Sequence, residues 1–103
     1  MHINYLPKVK KFITGLDDTL AYRVVSSIDF LERYGHKLEM PISKPLGQGL
    51  FELRITGNNH IRILYCFHKD AVYLLHAIMK KRQAIPREDI HVARKIMKQI
   101  VQI

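Results

Sequence analysis

Apolar positions recur at helical spacing in the first third of the chain, switch to every second residue in the middle, and return to helical spacing at the end. Val9, Phe12, Ile13 and Leu16 share one helical face within residues 5–16. The next stretch, DDTLAYRVVSSIDFLERYG, opens on acidic residues that suit the positive end of a helix and closes on Gly35, a stop signal. Leu20, Val24, Ile28 and Leu31 form its apolar stripe. Residues 36–49 carry Pro41, Pro45, Gly47 and Gly49 and read as a loop. From Leu50 to Thr56 the period is two, with Phe51, Leu53 and Ile55 on one face and Glu52 and Arg54 on the other. Gly57-Asn58-Asn59 is a turn of residues that tolerate positive φ. His60 to Phe67 is rich in β-branched and aromatic residues, and Ala71 to Lys80 is a mostly apolar strand suited to a covered position. Pro86 starts a last helix, with Glu88 and Asp89 in its first turn and Ile90, Ala93, Met97 and Ile100 as its stripe.

The pattern predicts an α+β fold: two N-terminal helices, an antiparallel meander of three strands, then a C-terminal helix. HINYL, residues 2–6, is a candidate for a short extra strand. With 103 residues, 48% of them hydrophobic, there is material for one core, so a single domain over 1–103 is expected. No apolar run reaches the ~18 residues of a membrane span, and the N-terminus has no apolar stretch of signal-peptide length. One cysteine, Cys66, excludes an internal disulfide and fits a reducing cytosol, so a soluble cytoplasmic protein without membrane contact is expected.

Charge changes this picture. The net charge is +8, and it is unevenly spread: residues 1–41 hold six Lys/Arg against five Asp/Glu, residues 42–103 eleven against four. A basic patch on one part of a small domain suits a polyanion, most often nucleic acid; the alternative is a solvated lysine-rich surface. A three-residue turn would set Thr56 against His60 and Arg54 against Arg62, which also aligns Phe51, Leu53 and Ile55 with Ile61, Ile63 and Tyr65. Pairing Phe67 with Ala71 in the next hairpin would set Arg62 opposite His76. A row of Arg54, Arg62 and His76 gains nothing for folding unless an anion or a carboxylate such as Glu52 or Glu39 occupies it. Lys80, Lys81 and Arg82 end the third strand near the same edge, and Lys44 lies on the loop entering the first. Metal-free cleavage of RNA needs these residue types: cations for the charge building on the phosphate oxygens, a base for the built-in 2′-OH, and an acid for the leaving oxygen.

Other chemistry is poorly represented. The six histidines, at 2, 36, 60, 68, 76 and 91, show no metal-ligand spacing. Cys66 lies in a strand, where a buried inert thiol is the expectation. No phosphate-cradling glycine motif and no GxSxG occurs.

SKPLGQGLFELRI, HIRILYCF and YLLHAIMKKRQAIPREDIHVARKIM, in this order and spacing, resemble the RelE/HigB toxin superfamily, in its phage-derived, HigB-like branch. The likeness runs from LPKVKKFI to the last helix. It implies a RelE/ParE-like fold and the toxin of a type II toxin–antitoxin module: a ribosome-dependent endoribonuclease that cuts mRNA in the ribosomal A site without a metal or other cofactor. It also implies a helix-turn-helix antitoxin of HigA type as partner. By motif, Arg54, Arg62, Lys80 and Lys81 match the phosphate-binding and transition-state group, with His76 at the LLH position; Lys44, Arg82 and His60 are RNA-contact candidates. The chain departs from the family in its short first strand, in Ile78 where Phe is common, in Arg82 where a small polar residue is common, and in having no tyrosine after Tyr73. This leaves the general base open; a lysine or His76 could serve only with a pKa lowered by the surrounding cations. The alternative is a non-catalytic module on the same fold: a ParE-like gyrase inhibitor, or an inactive prophage remnant that binds an antitoxin.

Overall fold

Five strands and three helices follow one another as β1 (His2–Tyr5), α1 (Pro7–Thr14), α2 (Asp18–Tyr34), β2 (Ser43–Gly47), β3 (Leu50–Arg54), β4 (Ile61–His68), β5 (Ala71–Met79) and α3 (Arg87–Val101), with a 3-10 turn at Gly35–Lys37. The structure is a computed structural model and describes residues 1–55, 57, 60–80 and 84–102. Local chemistry explains the helix ends. Pro7 starts α1, where its missing N–H costs nothing. Asp17 caps α2, its Oδ1 accepting from the Leu20 amide at 2.9 Å. Gly35 ends α2 with φ +52, and its N–H donates to the Leu31 carbonyl.

The sheet order is β1-β5-β4-β3-β2. The three expected strands form its centre as an antiparallel meander. The strand count is corrected from three to five. HINYL does supply β1, which runs parallel to β5 and pairs His2 with Ala71 through Tyr5 with Leu74. Residues 43–47, expected in a loop, form β2 instead, antiparallel to β3, with Lys44 opposite Glu52. Pro45 and Gly47 weaken a strand by propensity, but β2 is an edge strand, where a missing ladder donor is tolerated. The β3–β4 register is the one predicted: Leu53 faces Ile63 and Arg54 faces Arg62. Between them Gly57 has φ +81, and a Cβ there would lie 1.7 Å from Nη1 of Arg23 on α2, so a glycine lets that guanidinium close over the turn. The rest of that turn, Thr56, Asn58 and Asn59, lies outside the described residues.

The β4–β5 register differs from expectation. His68, not Phe67, pairs with Ala71, and the pairing shifts between Leu64 and Tyr65, so Leu75 is an extra residue on β5. Arg62 therefore faces Ile78, and His76 faces Leu64. The predicted row of Arg54, Arg62 and His76 is corrected on this point: its third position is Ile78.

Both sheet faces are covered. On one, Val9 of α1 and Val24, Ile28 and Leu31 of α2 pack with Leu53, Ile55, Ile61, Ile63, Tyr65, Val72 and Leu74. On the other, α3 lays Ala93 over Leu50, Leu64, Cys66 and Leu75, with Ile90, Ile96 and Met97 partly buried beside them. The bulge explains why Leu75 and His76, neighbours in sequence, both serve the α3 side. Burial of this kind is worth about 25 cal/mol per Å² of apolar surface and is what holds the layers together.

Candidate functional site

Alternation along β3 puts Leu50, Glu52 and Arg54 on the α3 side of the sheet, and β4 brings Arg62 alongside. Glu52 and Arg62 are almost fully buried there, 3% and 5% exposed. Glu52 Oε1 lies 2.5 Å from Arg62 Nε and 3.6 Å from Arg54 Nε. The first is a tight charge-assisted contact and the second a looser ion pair. Arg62 Nη1 also donates to its neighbour's carbonyl, on Ile61, at 3.1 Å. The sequence left the arginine row open to a carboxylate or an outside anion. The structure places a carboxylate there, and it is Glu52.

One carboxylate does not balance the site. Lys80, 7% exposed, extends the β4–β5 ladder past the Ile61–Met79 pair, its amide donating to the His60 carbonyl at 2.7 Å. Burial pushes its pKa below the usual lysine value, and the positive charges of Arg62, Arg54 and Lys44 push it further, against the opposing pull of Glu52. Lys44 is exposed on β2, opposite Glu52. Lys44, Arg54, Arg62 and Lys80 thus converge within electrostatic reach around one anion. Arg62 and Lys80 are withdrawn from water, where charge is screened least, and Arg54 is half-buried. His60, exposed, has its Nδ1 3.2 Å from the Lys80 carbonyl, at the rim of the cluster.

His76 is not part of this charge cluster by contact. Its Nε2 is 2.7 Å from Asp89 Oδ1 in the first turn of α3, a hydrogen bond about a quarter exposed that ties β5 to α3. This partner was not foreseen, because the bulge that aims His76 at α3 has no mark in the apolar run around it. Lys81 and Arg82 lie outside the described residues. Among the described residues no group of three or more His, Cys, Asp or Glu side chains converges as a metal site would require. No helix among them is long and apolar enough to cross a membrane. Cys66 is buried, and burial raises its thiol pKa to about 11, so it stays a protonated, poor nucleophile.

Chemically, convergent guanidinium and ammonium groups at one end of the central strands can take a phosphate. Two arginines supply donors in fixed planes for its oxygens, and a lysine with a depressed pKa can hold or release a proton.

Comparison with known proteins agrees with this layout. The family description "Phage derived protein Gp49-like (DUF891)" matches residues 11–98. Among solved structures, the isolated E. coli RelE toxin superposes with a TM-score of 0.65 at 13% sequence identity, covering 96% of this chain and 97% of that one. None of the curated proteins compared gives a match. A family match over most of the chain makes this protein a member of the phage-derived Gp49-like family, and its fold is that of the RelE toxin.

Proposed function

We propose that the protein is the toxin of a type II toxin–antitoxin module and a ribosome-dependent mRNA endoribonuclease that stops translation in the cytoplasm. The observation that carries this reading is the convergence of buried Arg62 and Lys80 and half-buried Arg54 around the Glu52 carboxylate, with Lys44 beside them. In this reading mRNA in the ribosomal A site presents its phosphate to the cluster, and a HigA-type helix-turn-helix antitoxin restrains the free toxin.

The reaction needs no nucleophile from the protein. The ribose 2′-OH attacks the adjacent phosphorus, the P–O2′ bond forms and the P–O5′ bond breaks, leaving a 2′,3′-cyclic phosphate and a 5′-hydroxyl. Arg62 and Arg54 hold the non-bridging oxygens as negative charge builds on them, in a setting too dry to screen the attraction. The incoming phosphate competes with Glu52 for the guanidiniums, and Glu52 keeps them oriented until it arrives. Lys80, its pKa lowered, is the group assigned to take the 2′-OH proton. His76, polarised by Asp89, is assigned to protonate the 5′ oxygen. Lys81, Arg82 and His60 are assigned to the flanking RNA backbone, the first two by sequence position alone.

The test is induction in cells without the neighbouring antitoxin gene, beside an Arg62→Ala variant, with growth, protein synthesis and mRNA integrity followed together. Translation arrest with cuts inside translated regions, lost in the variant, is the expected result. Arrest without mRNA cleavage, or replication failing before translation, would redirect the reading to a gyrase-type target. Soluble protein with no effect on growth would favour an inactive remnant. A fully toxic Arg62→Ala would overturn the phosphate-site assignment.

A further inference from the structure

Lys80 is sheltered from bulk water without lying deep in the core. The residue is 7% exposed, and it follows directly on Met79, which is 53% exposed, at the end of β5. His60, exposed, stands beside it, its Nδ1 3.2 Å from the Lys80 carbonyl. A small solute reaches this place from the end of the sheet. Arg62, Arg54 and Lys44 all act on the Lys80 side chain electrostatically, against the one carboxylate of Glu52. Burial and these positive charges both favour the uncharged amine, the form in which a lysine is a nucleophile. The same cations make the surroundings attractive to an anion with more than one negative charge. Nucleophile and anion site are therefore one place. Offered a mixed anhydride of phosphate and a carboxylic acid, such a place can hold the phosphate and attack the acyl carbon beside it.

We infer that Lys80 is a modification site for small acyl phosphates, with Arg54, Arg62 and Lys44 holding the phosphate while the lysine takes the acyl group. Lys80 Nζ attacks the acyl carbon and a C–N bond forms. The negative charge that collects on the carbonyl oxygen lies among cations. The C–O bond to the phosphate then breaks, inorganic phosphate leaves with the bonding pair, and the proton lost from Nζ passes to it. Nothing is oxidised or reduced, and no further reactant is consumed. The product is a neutral amide, which removes one cation from the cluster and fills its space with an acyl group. An acyl thioester fits less well, because its leaving group is a thiolate and the planar forks of the two arginines match phosphate oxygens. Its larger carrier also suits a 7% exposed amine poorly. Under the nuclease reading the acylated chain has lost its base and is switched off; that clause alone rests on that reading.

The test is to incubate the intact chain with acetyl phosphate at neutral pH and to follow acetylation lysine by lysine with peptide mass spectrometry. Lys80 is expected to react about tenfold faster than Lys8, Lys95 and Lys98, which are exposed. Its rate should saturate with acetyl phosphate and fall when inorganic phosphate is added, while the exposed lysines react in proportion to reagent and ignore phosphate. Arg54→Gln, at a half-buried position, should slow Lys80 about tenfold and leave the exposed lysines unchanged. Acetyl-CoA should mark Lys80 no faster than Lys95. The readout is a mass, so it stands whether or not the chain cuts RNA. A chain that acetylates at Lys80 but spares mRNA defeats the nuclease reading alone; a chain that cuts mRNA with Lys80 inert to acetyl phosphate defeats this one alone. Lys80 reacting no faster than the exposed lysines overturns the proposal, as does a rate that neither saturates nor responds to phosphate. Equal reaction with acetyl-CoA overturns it too, because the reactivity would then belong to the amine without the anion site.

Discussion

Glu52 is the carboxylate against which the two arginines of the cluster are held. Its Oε1 serves Arg62 and Arg54 with almost no help from solvent. Glu52→Gln keeps the shape and removes the charge, so the arginines lose their buried counter-ion. The expected cost is about 3 kcal/mol, read as a lower urea midpoint, because an uncompensated buried charge is what breaking such a pair leaves behind. Inorganic phosphate should restore much of the loss in Glu52→Gln and do little for the parent; equal effects on both would argue against an anion site. Lys80 works in the other sense. Its folded pKa lies below its unfolded one, so below the folded value the native state bears the full cost of the charge. Between the folded and unfolded values the unfolded chain binds more protons, and stability rises with pH. Lys80→Met should therefore melt higher than the parent at neutral pH, with the gap closing as pH climbs toward 10.5, the ordinary value, and should lose RNA cleavage. A gap that does not change with pH would mean that packing, not charge, sets the difference.

At the scale of elements, what the sequence made legible was what one buried face dictates. Phe51, Leu53 and Ile55 alternate against Ile61, Ile63 and Tyr65, and only one register hides both sets, so the Arg54–Arg62 pairing could be read before any coordinates. Asp17 and Gly35 bracket α2 by local chemistry and were legible for the same reason. Asp17→Ala should cost about 1 kcal/mol, seen in thermal melts, while Asp17→Asn, which keeps an acceptor for the Leu20 amide, should cost much less. β2 was not legible. Pro45 and Gly47 argue against a strand locally, and only pairing with β3 makes one. The place of His76 was not legible either. Counting back from the His68–Asp70 turn fails once Leu75 bulges, and nothing in a run of apolar residues says where a ladder will slip. Glu52 was named as a candidate counter-ion but not ranked above Glu39. Alternation alone gives its face, not how deeply it is buried.

At the scale of the molecule, the excess of positive charge lies mostly in the segment that builds β2 to α3, the same segment that supplies Lys44, Arg54, Arg62 and Lys80. If those four cations meet phosphates, affinity for single-stranded RNA should fall about 50-fold between 50 and 200 mM salt, measured by fluorescence anisotropy. Arg62→Ala should flatten that slope by one contact. The order of the strands adds a matter of timing. β1 is made first yet pairs only with β5, so His2 waits for Ala71, and the sheet stays open while the intervening chain is synthesised, several seconds at about 5–20 residues per second. Lys80 follows directly on β5, so the strand that closes the sheet also delivers the lysine that completes the cation cluster. A nascent chain shorter than β5 has no assembled cluster, so whatever activity rests on those cations is switched on by the arrival of a single strand.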